Sequence, residues 1–290
     1  MNYPFKTIAL IGKHRNEEIA ALIPDLAGFL TELHYEVFID QLTASYLAVN
    51  TCKTLTLEEI GHQADLAVVM GGDGTMLNIA RVLASNDVPL IGINLGRLGF
   101  LTDLSTDNMQ ETLREMLQGQ YTTERRMLLY AEVVRDDGSV FNALAFNDVV
   151  LYRGTSSGMI EFQVSINNEY VCTMRSDGLI VATPNGSTAY ALSSGGPILH
   201  PSLDLIELVP VCPHTLSNRP IVVGPDASIE VHMLSSLDSR VHCDSHSNFD
   251  LVQSDRIVVR RYPKTVRLLH PVNHSYYRML REKLSWSELH

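Results

Sequence analysis

Five consecutive apolar residues, Leu66-Ala67-Val68-Val69-Met70, run straight into Gly71-Gly72-Asp73-Gly74-Thr75. A Val-rich run with no polar alternation reads as a strand buried on both faces, as a parallel sheet covered by helices requires. Past the glycines, Met76, Ile79, Ala80 and Leu83 recur at the spacing of one helix face, so the segment reads as strand, tight turn, helix. A turn without Cβ atoms at a helix start lets a phosphate approach backbone N–H groups closely. Asp73 stands out there, because a carboxylate repels an anionic ligand. Either it holds a metal ion or takes a proton, or it merely caps the helix while Gly72 and Gly74 serve the turn.

The neighbouring segments extend the same α/β pattern. Ile8 to Ile11 reads as a first strand running into Gly12-Lys13-His14-Arg15, and ligands of open α/β sheets gather at that end of the strands. Lys13 and Arg15 are therefore candidate phosphate contacts, with a solvated basic loop as the alternative. Ile19, Ile23, Leu26, Leu30 and Leu33 form a helical stripe that Pro24 is expected to kink or restart. Val37-Phe38-Ile39 is a short strand, and the stretch from Thr43 to Ile60 is undecided between surface helix and loop. Pro89 to Ile93 is another buried strand, followed by a loop holding Arg97, Gly99 and Phe100. A capped helix over Asp107 to Gln118 stops at Gly119.

Beyond Tyr121 the pattern becomes strand-rich. Leu128 to Val134 and Val140 to Leu151 flank the turn Asp136-Asp137-Gly138. Phe162, Val164 and Ile166 alternate, Asn167-Asn168 turns the chain, and Tyr170 to Met174 returns. Shorter strands are expected at Leu179 to Ala182, Ile229 to Met233, Ile257 to Arg260 and Val266 to Leu269, with a last amphipathic helix near Tyr276 to Leu284. The fold class expected is an α/β N-terminal domain with a Rossmann-like open sheet, plus a β-rich, sandwich-like C-terminal domain. The expected division is 1–122, then 123–270, then a C-terminal helix in 271–290 packing back on the first domain.

Two further constellations carry chemistry. Asn147 and Asp148 sit between Phe146 and Val149-Val150 on an expected strand, where a carboxylate incurs a desolvation cost. A carboxylate can accept both protons of a ribose diol, and an amide offers donor and acceptor together; an ordinary Asn-Asp turn is the alternative. Thr183-Pro184-Asn185-Gly186 reads as a tight turn, after which Ser187 to Ser194 starts a helix capped by Ser187 or Thr188, with Tyr190 offering a ring for a base. Arg175 and Asp177, two apart at a strand end, suit a ligand bearing both phosphate and amide groups, or form a plain ion pair. His242-Cys243-Asp244-Ser245-His246 is read as polar turn residues in preference to a metal site, and no serine-hydrolase context surrounds Ser193, Ser194 or Ser245.

A net charge of −11 argues against a nucleic-acid or anionic-membrane partner, since such binders collect Lys and Arg. The four cysteines lack any Cys-x-x-Cys pair and suit reduced thiols of a cytoplasmic protein. The apolar run from Thr7 to Gly12 is too short for a signal-peptide core or a membrane span.

Taken in order and spacing, Gly71-Gly72-Asp73-Gly74-Thr75, Asn147-Asp148 and Thr183-Pro184-Asn185-Gly186-Ser187-Thr188-Ala189-Tyr190 closely resemble the bacterial NAD kinase family. The first motif alone is shared with phosphofructokinases and with diacylglycerol and sphingosine kinases. The resemblance implies ATP-dependent phosphorylation of the adenosine ribose 2′-hydroxyl of NAD to NADP, with a divalent cation, usually Mg2+, and a homodimer or homotetramer. It implies that Asp73 accepts a proton and that Gly72, Gly74 and Thr75 approach phosphates. By the same likeness Asn147 and Asp148 bind an NAD ribose, while Arg175 and Asp177 lie near the nicotinamide half. Thr188, Ala189, Tyr190 and Ser193 would line the dinucleotide pocket, with Phe100 as its wall. In relatives that use NADH the position of Arg175 tends to differ, so Arg175 suggests NAD. His246 departs from the family, where Gln is common. The competing functions are a non-catalytic dinucleotide sensor and another kinase of the superfamily.

Overall fold

The structure is a computed structural model that describes residues 5–96, 99–155, 158–215, 217–235 and 238–286. The chain forms two compact units, one made of 1–125 with 266–290 and the other of 126–265. The candidate Arg97 lies outside the described residues.

In the first unit, strands run parallel in the order Lys53–Leu55, Glu36–Asp40, Thr7–Gly12, Leu66–Met70, Leu90–Asn94. Helices Glu17–Glu32 and Met109–Leu117 share one core with alternate strand residues, among them Ile8, Leu10, Val37, Val68 and Ile91. The residues between these, Ala9, Ile11, Phe38, Ala67 and Val69, are buried as well, so both sheet faces are covered, as the unbroken apolar run of Leu66–Met70 demands. Helix Glu17–Glu32 passes through Pro24 without a break, and its apolar stripe holds it against the sheet. The undecided stretch contains the short helix Gln41–Ala44, strand Lys53–Leu55 and helix Leu57–Gln63. The C-terminal strand reaches this unit through Leu268, which pairs with Leu90, so residues 266–270 join the first unit. Helix Tyr276–Leu284 follows it there, burying Met279 and Leu280.

The second unit is antiparallel. One sheet has the order Ile221–Val223, Ile206–Val211, Gly178–Ala182, Asp148–Arg153, Ser239–Cys243, Ser247–Leu251. Its inward side chains, such as Val149, Leu151, Leu179, Val181 and Leu208, share a core with Phe162, Val164, Ile229 and Val231 of the facing strands. Asn167 and Asn168 take positive φ between Ile160–Ile166 and Glu169–Ser176, the conformation a tight hairpin demands. Two expectations change. Residues 140–151 form two strands, Val140–Ala145 and Asp148–Arg153, separated at Phe146 and Asn147. Ile257 to Leu269 is one long strand, Arg256–Pro271.

Candidate active site

After Thr7–Gly12 the next two strands, Glu36–Asp40 and Lys53–Leu55, run outward on one side of it, and the chain then returns to Leu66–Met70 on the other. The carboxyl ends of Thr7–Gly12 and Leu66–Met70 therefore bracket the switch point where open sheets leave a crevice. A cavity of about 400 Å³ lies there, lined by Gly12, Lys13, His14, Gly72, Gly74 and Thr75 among others. Lys13 thus lines this crevice beside apolar Ile11, Leu42 and Ile79, whereas Arg15 is absent from that lining.

Gly72 caps helix Asp73–Leu83 with extended backbone, and neither Gly72 nor Gly74 has positive φ. A Cβ at either would meet nothing within 4 Å. Their lack of side chains therefore serves the open space in front of the turn. Gly71 differs: a Cβ there would lie 2.7 Å from Thr75 Oγ1.

Asp73 is the first residue of the helix and makes no cap bond. Its carboxylate instead accepts the N–H of Phe100 at Oδ2 and of Leu101 at Oδ1, each at 3.0 Å. Both oxygens are fixed by one segment, and each keeps a second lone pair. Gly99 permits the approach, because a Cβ there would overlap the Asp73 carboxylate and Thr102 Oγ1. Phe100 meets Asp73 through its backbone.

In the β-rich unit Asn147 lies just before strand Asp148–Arg153. The Asp244 carboxylate, in the turn after Ser239–Cys243, accepts the N–H groups of Phe146 (2.7 Å), Asn147 (2.8 Å) and Asp148 (3.1 Å). Those bonds are lost to any continuing ladder, which explains why one apolar run becomes two strands. Asn147 Oδ1 accepts from Asn185 Nδ2, and Asn185 Oδ1 accepts from buried Arg126 at 2.8 Å. Gly186 is required here, since a Cβ would overlap the Asn147 carbonyl.

Asp148 is only 6% exposed. Burial first, and then the nearby Asp244 carboxylate, push its carboxyl up to about 7. Across Ala182, on the same sheet face, stands Glu207, fully buried, with no hydrogen-bond partner for either carboxylate oxygen. Burial and the Asp148 charge push Glu207 up to about 7 as well.

Gly186–Thr188 is a turn of 3₁₀ helix and Tyr190–Ser193 a four-residue α-helix, neither with a side-chain cap. The expected cap Ser187 is instead a buried tie: its Oγ donates to the Pro184 carbonyl at 2.7 Å and accepts the Leu199 N–H at 2.9 Å. Thr188 and Ala189 are half-buried, and Tyr190 and Ser193 exposed. Asp177 pairs with Arg153 at 2.9 Å, so its ion-pair partner is not Arg175, which sits exposed near the end of Glu169–Ser176. His246 is exposed in the turn two residues after Asp244, and its N–H donates to the Cys243 carbonyl. The turn expected over residues 242–246 is shorter: His242 and buried Cys243 end strand Ser239–Cys243, where they pair with Asn248 and Ser247, and only Asp244 to His246 turn, with Asp244 and Ser245 at positive φ.

Among the described residues one group of metal-capable donors converges, Asp103, His270 and His274. His270 faces Asp103 through Nδ1 (3.0 Å) and Glu124 through Nε2 (3.2 Å). Burial disfavours its charge, yet those two carboxylates raise it to about 9. An imidazolium has no lone pair for a metal. Arg126, Asn185, Asp244 and Glu207 escaped the sequence reading as site residues, with only the order Asn185-Gly186 within a motif to hint at them; Gly99, expected beside Phe100 at a ligand cleft, instead makes room for the Asp73 carboxylate.

Models of the ATP-NAD kinase N-terminal and C-terminal domains match residues 8–121 and 146–270. The chain is 64% identical over 283 residues to an NAD kinase of Nitrosomonas europaea, covering 98% of this chain and 96% of that one. It is 50% identical over 285 residues to an NAD kinase of Ralstonia nicotianae, covering 98% and 94%. Among solved structures it is similar to yeast NADH kinase complexed with NADH, with TM-score 0.89 and 25% identity over 100% of this chain and 90% of that one. An NAD kinase from Archaeoglobus fulgidus in complex with ATP aligns with TM-score 0.75 and 26% identity, covering 96% and 98%.

Proposed function

The chain belongs to the ATP-NAD kinase family and phosphorylates NAD to NADP, and from that premise we propose that the 2′-hydroxyl of the adenosine ribose attacks the terminal phosphorus of ATP while Asp73 takes the hydroxyl proton. The hold on Asp73 carries this assignment: a carboxylate fixed at both oxygens by the Phe100 and Leu101 N–H groups cannot swing away as a flexible side chain would. A bond forms between the ribose oxygen and phosphorus, the bond to ADP breaks, and the proton ends on the Asp73 carboxylate.

Gly72, Gly74, Thr75 and Lys13 would meet the ATP phosphates in the crevice at the sheet's switch point. Asn147 and Asp148 would take a ribose diol, and Arg175 and Asp177 the nicotinamide half, with Arg175 favouring NAD over NADH. Thr188, Ala189, Tyr190, Ser193 and Phe100 would line the dinucleotide pocket, with His246 at its margin. Mg2+ is commonly held largely by substrate phosphates, and the Cβ-free turn at Gly72 and Gly74 leaves room for it there; the ATP phosphates would hold it, with Asp73 left to take the proton. When bound, the ion neutralises charge on the transferring phosphoryl group. Because that transfer passes through a loose transition state, positioning contributes more than proton abstraction, which typically supplies about 10²- to 10⁴-fold.

We place this activity in the cytoplasm, where the free thiols of Cys52, Cys172, Cys212 and Cys243 persist, and in a homodimer or homotetramer. No helix among the described residues is long and apolar enough to cross a membrane. A coupled assay with ATP and NAD, NADH or a sugar phosphate in parallel tests the reading. NADP formation with preference for NAD is expected. Dinucleotide binding without turnover would instead indicate a sensor, and turnover of the sugar phosphate another kinase of the superfamily.

A further inference from the structure

The segment that fixes Asp73 has no regular structure of its own between Gly99 and Asp103. Its geometry is imposed from outside. On one side the Gly99 N–H closes a turn onto the Thr102 carbonyl at 3.0 Å, and buried Asn94 donates through Nδ2 to the carbonyls of Thr102 (3.0 Å) and Leu104 (3.1 Å). On the other, two residues past Leu101, the Asp103 carboxylate receives both His270 Nδ1 at 3.0 Å and His274 Nδ1 at 2.8 Å on the same oxygen. The two imidazoles stack with centroids 4.0 Å apart and planes at 20°. Glu124 holds the far nitrogen of His270 at 3.2 Å.

None of these residues is assigned a ligand contact or a part in the proton transfer. The cluster is nonetheless a buried ionic group, with side-chain exposures of 8% for Asp103, 3% for His270 and 14% for His274. Burial opposes the Asp103 charge, but the two histidines hold its carboxyl down to about 2. A carboxylate pinned by two imidazoles leaves the neighbouring peptide units little freedom. The Leu101 and Phe100 N–H groups that aim at Asp73 lie two and three residues upstream in the same irregular segment, and the Thr102 carbonyl between them and Asp103 is itself held by Gly99 and Asn94.

We propose that His270 and His274, by clamping Asp103, are positioning residues that hold the Phe100 and Leu101 N–H groups on Asp73 and so set the place of the proton acceptor. This inference rests on the role given to Asp73 above. Its main effect falls on the chemical step, because the ribose contacts proposed for Asn147 and Asp148 belong to the other unit and Phe100 alone is shared with the dinucleotide pocket.

The test compares His270→Gln and His274→Ala with the unaltered protein, each alone and combined with Asp73→Asn. Each histidine substitution alone should lower kcat for NADP formation about 10- to 100-fold, as a displaced reacting group does, with a much smaller change in KM for NAD. In the Asp73→Asn background the same substitutions should change the residual kcat by less than about twofold, since the position they protect no longer matters. The inference is overturned if kcat of both single variants stays normal, or if the full drop recurs in the Asp73→Asn background. Should His270→Gln fail to fold by circular dichroism, His274→Ala decides alone, because it leaves the His270 bonds to Asp103 and Glu124 in place. Normal turnover in Asp73→Asn would sink the proton-acceptor assignment itself, whereas an impaired Asp73→Asn with normal histidine variants would sink only the clamp.

Discussion

Glu207 is an energetic liability of the β-rich unit, because it is fully buried and neither oxygen has a hydrogen-bond partner. Burial and the Asp148 charge raise its carboxyl from 4.5 to about 7. In the unfolded chain it titrates near its ordinary value, so the folded state binds the proton more tightly. The stabilisation is fully present below the unfolded value and is lost as pH rises through about 7. A difference of about 2.5 pK units corresponds to at most about 3.4 kcal/mol, of which about 1.4 kcal/mol is already gone at pH 5.5. Between pH 5.5 and 8.5 this one group therefore removes about 2 kcal/mol. Glu207→Gln keeps the shape and cannot ionise. Urea denaturation at pH 5.5, 7 and 8.5 should show a stability loss about 2 kcal/mol smaller across that range in the variant than in the parent, with equal m-values. Parallel pH profiles for the two proteins would refute the placement of an ionisable, unpaired Glu207 in the core.

Asp73→Asn should lower kcat by about 10²- to 10⁴-fold with KM for NAD nearly unchanged, since an amide takes no proton and turns an NH2 toward the N–H of Phe100 or Leu101; steady-state kinetics check it. Gly99→Ala forces a methyl group into the Asp73 carboxylate and Thr102, so kcat should drop about 100-fold, and thermal denaturation should show a loss of about 1–3 kcal/mol. Asp148→Ala should raise KM for NAD far more than KM for ATP, and equal effects would argue against ribose recognition. Because a diol needs the ionised Asp148 and its carboxyl stands at about 7, NAD affinity should fall about tenfold from pH 8 to pH 6. Calorimetry in buffers of different ionisation enthalpy should then record proton release on binding at pH 6; a flat pH dependence would show that Asp148 is not the acceptor.

What the sequence made legible follows from the range over which each signal acts. Leu66–Met70, the helix face of Met76, Ile79, Ala80 and Leu83, and the Asn167-Asn168 hairpin are local patterns, and the structure forms each where its pattern lies. Helix Leu57–Gln63 carried a local signal too: Thr56 and Glu59 make a capping box, although the apolar periodicity around it is weak. The site's supports could not be read that way. Asp244 is about a hundred residues from the three N–H groups it binds, |i−j| being 96 to 98, and His270 is 167 residues from Asp103. Nothing near Asp244 in the chain marks it as an acceptor, and Pro24 shows the converse, a local helix breaker outweighed by buried Ile19, Ile23, Leu26 and Leu30. Sequence motifs therefore mark the turns on which the proposed ligand contacts cluster. The groups that hold them still are distributed by topology, and a carboxylate such as Asp73 acquires its orientation only when the sheet brings the 99–103 segment against it.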